Sequence, residues 1–292
     1  PIMALMKTGT GLTVLVLAAF FCGAAAAADA PVPAQGAPRE LLQPPKMRIA
    51  SPITDRMALR GIFYAPRIAT DIRSDASDGT QGTPISGEDM LALPDSMQQG
   101  GIDLMFRMLE RHRIRAGYYQ QTRSGDTVLQ QTIRFGDNVY QVDDRVLTDM
   151  DLRQLDLVYT YSFLRRETVE IGAGLGIHLL QIDAKVEAPA EFQSEENSVA
   201  GPFATLAVDG TWRFTPRFSL NARANYFKGD ATDVHGSYMN WHADVQFRWK
   251  RNFALGSGYS YTRMFVDSTD VGDSGTFRHL YRGFEAFARV SF

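Results

Sequence analysis

The sequence contains a single cysteine, Cys22. Cys22 lies in an apolar stretch near the N-terminus, and it is the single cysteine. The chain after this stretch therefore has no thiol that could form a disulfide or ligate a metal. Histidine is also scarce, with five in 292 residues and no zinc-ligand spacing. We find neither a glycine-rich phosphate loop nor a basic nucleic-acid stripe. The sequence therefore predicts no cofactor, no metal site and no nucleic-acid partner.

Long apolar runs are missing after residue 28, so no transmembrane helix is expected there. Within residues 1–28, Lys7, an apolar core and the alanines before Asp29 together predict a secretory signal peptide. Residues 29–56 are rich in proline and alanine, which favours an extended periplasmic leader. Residues 57–292 then form the folded domain.

Ten segments of the folded domain alternate so that one face of each carries no charge. In the last segment, Phe284, Ala286 and Phe292 share one face, whereas Glu285 and Arg289 lie on the other. A charge facing lipid at mid-membrane costs roughly 2–4 kcal/mol, so a membrane barrel must keep its outer face uncharged. Aromatic residues near both ends of these faces indicate the two interfacial girdles. The pattern predicts an all-β fold, an antiparallel transmembrane β-barrel of the outer-membrane type.

The number of strands follows from the connections, which alternate between short and long. Four short turns and five long loops join ten strands and place both termini in the periplasm. Two further strand-like stretches in residues 125–150 form either a hairpin above the membrane or two more crossings, so twelve strands, or eight, remain alternatives. The long links 74–99, 187–200 and 267–278 are acidic, which predicts a solvated acidic rim.

The inner faces carry charges of both signs. Eight bases and six acids are predicted to form an ion-pair lattice in the lumen: Arg60, Asp103, Arg107, Arg113, Arg115, Asp156, Glu170, Asp209, Arg213, Arg223, Asp244, Arg248, Glu285 and Arg289. Unpaired buried charges are costly, which favours mutual pairing. An open pore that selects one ion sign would more naturally be lined with one sign. A charge-paired plug is therefore favoured, with a narrow gated pore as the alternative.

Catalytic residues are not evident. The best candidates are His242 and Asp244, which share one inner face and could form a general base. A histidine beside an aspartate is common in a charged lumen, so we assign neither a catalytic role. His178 is interpreted as an interior hydrogen-bonding residue.

Three stretches, YTYSFLRRETVEIGAGLGIHLLQIDA, FKGDATDVHGSYMNWHADVQFRWKRNFALGSGYSYTR and YRGFEAFARVSF, resemble uncharacterised proteobacterial outer-membrane β-barrel proteins. The terminal Phe292 resembles the C-terminal assembly signal of such barrels. The resemblance implies a Gram-negative outer-membrane location but brings no substrate and no catalytic residue.

We therefore expect a non-enzymatic structural barrel, a surface-interaction barrel or a narrow passive channel. An outer-membrane hydrolase that acts on lipid or peptide is the alternative. The expected partners are outer-membrane lipid, lipopolysaccharide and the barrel assembly machinery, and the protein is expected to be a monomer.

Overall fold

A computed structural model describes residues 50–189, 193–230, 233–269 and 274–292. The predicted signal peptide and most of the predicted leader lie outside the described residues. Residues 49–292 form one compact unit. No helix among the described residues is long and apolar enough to cross a membrane.

The described chain is built from β-strands. They are β1 (Met57–Ser74), β2 (Ile85–Ser86), β3 (Gln99–Leu109), β4 (His112–Val128), β5 (Ile133–Phe135), β6 (Asn138–Tyr140), β7 (Arg145–Arg165), β8 (Val169–Ala188), β9 (Gln193–Arg213), β10 (Phe218–Asp230), β11 (Val234–Lys250), β12 (Phe253–Ser268) and β13 (Gly275–Ser291). All except β2, β5 and β6 belong to the barrel wall, in which every neighbouring pair is antiparallel.

The last strand closes the wall against the first. β13 pairs with β1 from Ala58↔Ser291 to Ser74↔Gly275. Because this pairing runs the full length of both strands, neither is left as a free edge, as a spanning barrel requires. The predicted ten-stranded antiparallel barrel is confirmed, and the eight- and twelve-stranded alternatives are wrong.

The outer faces follow the predicted parity. On β13, Phe284 is 71% exposed whereas its neighbour Glu285 is 6% exposed. The span from Phe284 to Phe292 matches the roughly 9–11 residues that a tilted strand needs to cross a bilayer. On β11, Trp241 and Trp249 bracket the same apolar width on the outer side. This uncharged zone, which we call the belt, is the surface that a membrane barrel presents to lipid.

Several strands continue well beyond the belt. β7, β8 and β9 are 20 or 21 residues long, and their outer faces turn polar, as at Asp151 on β7 and Asp183 on β8. Consequently, much of the predicted loops 187–200 and 267–278 is strand. These segments carry charge on the outer face because they meet water, which is why their sequence is typical of loops. We call this end of the barrel the loop end and the opposite end the turn end.

An apolar cap closes the loop end. Residues 125–150 do not cross the membrane; they contain the hairpin β5–β6, which packs inside the barrel mouth. The cap comprises Ile85, Leu91, Leu93, Leu129, Ile133, Phe135, Tyr140, Val146, Met150, Leu152, Ile182, Val186 and Ala188. A Cβ atom at Gly125 would lie 2.1 Å from the Leu91 carbonyl oxygen, so glycine is needed where this segment passes the wall.

The segment 85–96 also completes the barrel wall. β3 begins at Gln99, so on the loop-end side of this residue β1 and β4 have no barrel strand between them. Within the segment, β2 pairs with Asp71 and Ile72 of β1, and Ser96 forms a bridge with Arg67. The predicted acidic rim is therefore only partly solvated: this loop contributes Ile85, Leu91 and Leu93 to the cap.

Placing arginine at Ala286, on the outer face of β13, should destabilise the folded barrel by roughly 2–4 kcal/mol, because the charge would face lipid near mid-membrane. The measurement is the denaturant midpoint in lipid vesicles. Ser124→Arg is the matched control, since Ser124 is also exposed but lies on β4 beyond the belt. Equal losses in the two variants would contradict the assigned belt.

Candidate functional site

The lumen nearest the turn end is organised around Glu170, a residue that is 0% exposed. Arg107 donates two hydrogen bonds to its carboxylate, at 2.7 and 2.9 Å. Ser162 donates a third at 2.6 Å. Arg113 and Arg165 lie at 3.6 and 3.9 Å from Oε1. One buried carboxylate is thus a shared counterion of three guanidinium ions, and it is bound bidentately by one of them.

The turn end itself is occupied by residues that precede the first strand. Ile53 is 0% exposed, and its carbonyl accepts a hydrogen bond from Arg165. The Asp55 carboxylate accepts hydrogen bonds from Arg248 at 2.6 Å and from Arg289 at 3.0 Å. The sequence predicts a periplasmic leader over residues 29–56. The structure corrects the end of that range, because residues 51–55 lie inside the barrel mouth. Asp55 is therefore a lumen residue that sequence analysis missed.

The middle of the lumen contains a second cluster around Arg60. Its Nη1 donates to Asp244 at 3.0 Å, and its Nη2 contacts Glu285. The guanidinium carbon also lies 3.6 Å from the centre of the Phe287 ring. Two carboxylates and an aromatic face therefore surround one arginine, an arrangement that fixes its side chain.

A third group links strands on facing sides of the barrel. Arg113 donates to Asp209 at 2.6 Å, and Arg115 lies 3.4 Å from the same carboxylate. Arg223 of β10 donates to Asp103 of β3 at 3.0 Å, and these residues are far apart in the wall. The ion pairs therefore cross the lumen and join opposite walls.

Two predicted members of the lattice have partners of another kind. Asp156 accepts hydrogen bonds from His178, at 2.6 Å, and from Gln154, at 2.7 Å. Arg213 donates to the backbone carbonyl of Glu167 at 3.0 and 3.1 Å. Every residue of the predicted lattice lies in the lumen or at its turn-end mouth. In Asp156 and Arg213, however, contacts with histidine, amide and main-chain groups take the place of the arginine–carboxylate pairing.

His242 and Asp244 are in direct contact. His242 Nε2 lies 2.7 Å from Asp244, and Nδ1 lies 3.1 Å from the hydroxyl of Ser260. Ser260 was not recognised from the sequence, because it lies on the next strand. The same Nδ1 is 3.1 Å from Glu285, and Ser260 donates to that carboxylate at 2.9 Å. Both ring nitrogens of His242 therefore face carboxylates.

Beneath the cap lies a further ion pair that the sequence did not predict. Arg123 donates to Glu88 at 2.5 Å and to the hydroxyl of Thr70 at 2.5 Å. Glu88 in turn accepts the backbone N–H of Thr70 at 2.7 Å. Glu88, which lies in the predicted solvated rim, thus connects the loop 75–98 to β1 and β4 through hydrogen bonds.

Space between these layers is small and polar. Two cavities of about 60 Å³ lie in the central lumen, each large enough for a few water molecules. Both are lined by Asp103, Arg115 and Arg223. In the described ranges, no group of three or more His, Cys, Asp or Glu side chains is placed to hold a metal ion.

Comparison with known proteins gives distant structural likenesses. The outer-membrane protease OmpT of Escherichia coli has 10% identity and a TM-score of 0.47, with 80% of this chain and 97% of that chain covered. The attachment invasion locus protein Ail of Yersinia pestis has 12% identity and a TM-score of 0.35, with 80% and 99% covered. A Pseudomonas aeruginosa FadL homologue has 9% identity and a TM-score of 0.36, with 82% and 90% covered.

No family model matches the chain, and no curated protein matches it. The class of protein is defined by its own features, namely the closed antiparallel register and the uncharged belt. Together these define a transmembrane β-barrel with a charge-paired lumen.

Proposed function

We propose that this chain is an integral outer-membrane β-barrel protein of a Gram-negative bacterium, with a closed lumen and a non-enzymatic role as a structural or surface-interaction barrel. The observation that carries the proposal is the filling of the lumen at three levels. Residues 51–55 occupy the turn end, ion pairs cross the middle, and the apolar cap fills the loop end.

The proposed topology places both termini in the periplasm and the loop end outside the cell. Short turns on the periplasmic side and longer loops outside are typical of such barrels. The outward-facing Phe292 would then serve as the signal for the barrel assembly machinery. We propose a monomer, with outer-membrane lipid and lipopolysaccharide as its surroundings.

The charge pattern supports a plug more than a channel. Arg60, Arg107 and Arg223 each lie against a carboxylate of the facing or neighbouring wall. Removing one partner of a buried pair costs about 3–5 kcal/mol, so thermal opening of several pairs at once is rare. A conducting pathway would require that opening together with displacement of the cap.

The extended strands support a role at the surface. β7, β8 and β9 project beyond the belt as a paired sheet that presents charged outer faces to water. The cap packs against the inner side of this projection, through residues such as Met150, Ile182 and Val186. A projection stiffened in this way is suited to holding a fixed surface away from the membrane.

Refolded wild-type protein should show no steady conductance in a planar lipid bilayer, because the lumen is filled along its length. Heat-modifiable gel migration would verify that the inserted sample is folded. Protein refolded from inclusion bodies excludes contaminating porins. A stable, ion-selective current from the folded protein would contradict the closed barrel and favour the narrow channel.

A hydrolase is the second candidate, and the contacts of Ser260, His242 and Asp244 are the observation that favours it. A histidine between a hydroxyl and a carboxylate can activate the hydroxyl as a nucleophile. Against this, the Ser260 hydroxyl already donates a hydrogen bond to Glu285, and Arg60 Nη2 lies 3.1 Å from His242 Nε2. We therefore place this cluster in the structural lattice.

A fluorophosphonate probe distinguishes the two candidates. We expect the folded wild-type barrel to remain unlabelled, since Ser260 is enclosed in the lumen and hydrogen-bonded to a carboxylate. Ser260→Ala is the matched variant. Labelling of the wild type that disappears in this variant would overturn the non-enzymatic proposal.

A further inference from the structure

The outer surface just beyond the belt carries a cluster of three arginines on neighbouring strands. Arg67 of β1 lies directly opposite Arg282 of β13. Arg263 of β12 lies opposite Leu280, which places it diagonally next to Arg282, within reach of a long side chain. All three side chains are exposed. We call these residues the arginine cluster.

Like charges directly opposite each other on a sheet destabilise it. Inside the barrel the chain compensates for two such pairs. Arg60 lies opposite Arg289, and their partners are Asp244, Glu285 and Asp55. Arg107 lies opposite Arg113, and Glu170 contacts both.

The outer pair has no such compensation. Among the described residues, none of the ion pairs includes Arg67, Arg263 or Arg282. Two other outward arginines at this end do have carboxylate partners: Arg145 lies 2.5 Å from Asp126, and Arg153 contacts Asp151. Among the described residues, the arginine cluster therefore has no carboxylate counterion, although other arginines of the chain have one.

The height of the cluster indicates where a counterion would come from. Tyr261 is the cross-strand neighbour of Arg282, and Trp241 is the next neighbour in the same row. The rings of Trp241 and Tyr261 stack with centroids 5.8 Å apart, and Tyr259 contacts Phe284 just below. Such aromatic groups lie at the level of lipid headgroups. The arginines therefore lie where headgroup phosphates lie.

We propose that the arginine cluster is a binding site for the phosphate groups of a membrane lipid in the leaflet at the loop end. Arginine binds phosphate bidentately through its planar donors. A doubly phosphorylated glycolipid headgroup could span the Arg67–Arg282 pair and reach Arg263. The inference deepens the proposed function and rests on the membrane location given there.

The test compares ligands by their effect on thermal unfolding of the full barrel in neutral detergent. The probes are bisphosphorylated lipid A, phosphatidylglycerol and inorganic phosphate. A lipid at a hundredfold excess over its Kd should raise the wild-type unfolding midpoint by roughly 5–10 °C. At equal lipid concentrations, a larger shift with lipid A than with phosphatidylglycerol would identify the glycolipid as the source of the phosphate.

The variants test the proposal more sharply than the wild type does. The same substitution should raise the unfolding midpoint without lipid and should reduce the rise that lipid causes. Without lipid, Arg67→Gln should raise the midpoint by roughly 1–3 °C, since it removes the repulsion from Arg282. With lipid, the same variant should lose most of the lipid-induced shift. Arg145→Gln is the matched control, because it removes an exposed, paired arginine at the same end and should leave the lipid-induced shift unchanged.

Three results would overturn the proposal. The first is the absence of a lipid-induced shift in the wild type, and the second is a lipid-induced shift that survives in Arg67→Gln and Arg282→Gln. The third is an equal shift with inorganic phosphate, which would indicate a free-anion site in place of a lipid site. Failure of the closed-lumen proposal would appear separately, as bilayer conductance in a protein that still binds lipid.

Discussion

Replacing Glu170 with glutamine is expected to lower the free energy of unfolding by about 3–5 kcal/mol. Glu170 is the carboxylate shared by Arg107, Arg113 and Arg165 at the turn end. Glutamine keeps the size of the side chain but removes its charge. Glu170 is fully buried, so the loss of its charge would leave Arg107 without a carboxylate partner and would increase its repulsion from Arg113 and Arg165. Arg113 and Arg165 would keep Asp209 and Glu110 as their partners.

The measurement is the urea midpoint of the barrel refolded in detergent or lipid vesicles. Glu167→Gln is the matched control: Glu167 lies in the adjacent turn with an exposed side chain, and its contact with Arg213 is made by the backbone carbonyl. We expect that variant to change stability by less than about 0.5 kcal/mol. Equal midpoints for Glu170→Gln and the wild type would show that the turn-end ion pairs do not stabilise the barrel.

The outer faces of the strands could be predicted because lipid imposes a strict rule. A charge is excluded from every second position, and that exclusion is visible in one sequence, as at Phe284, Ala286 and Phe292. The prediction of an antiparallel barrel followed from the same pattern. Where the strands leave the bilayer the rule no longer applies, so the upper part of β9 was assigned to a loop.

The pairing inside the lumen could be predicted only as a general property. Balanced charge indicated ion pairing, but the partners depend on which strands face each other and on their stagger. Arg60 and Asp244 are 184 residues apart, and no spacing rule links them. Ser260 was missed for the same reason, since a neighbour on the next strand has no signal in the local sequence.

The two ends of the lumen were the least predictable parts. Asp55 lies in a proline-rich stretch whose composition is typical of a linker, and a single aspartate there gives no pattern. The cap residues Ile85, Leu91 and Leu93 lack periodicity, and the acids around them dominate the composition of their loop. A cluster of apolar residues within an acidic loop was the one available signal that this loop folds inward.

Replacing Phe135 with alanine should destabilise the cap by about 3–5 kcal/mol, the usual cost of removing a buried phenylalanine ring. Phe135 is 2% exposed and lies in the hairpin β5–β6 within the apolar cluster. The hairpin forms a separate two-stranded sheet, and such a sheet depends on packing for its stability. The hairpin should therefore become cleavable by protease between residues 129 and 143.

The same change should leave the barrel wall intact, because the wall is stabilised by its closed hydrogen-bond ladder and by the ion pairs below the cap. Heat-modifiable migration in detergent should thus match the wild type while proteolysis of the loop increases. Val142→Ala is the matched control, since Val142 lies in the same loop and is 49% exposed. If Phe135→Ala lowered the unfolding temperature of the whole barrel as much as it increased loop cleavage, the cap and the wall would form one cooperative unit. Displacing the cap to open the lumen would then require unfolding of the barrel, because no locally open state would exist between the folded and unfolded forms.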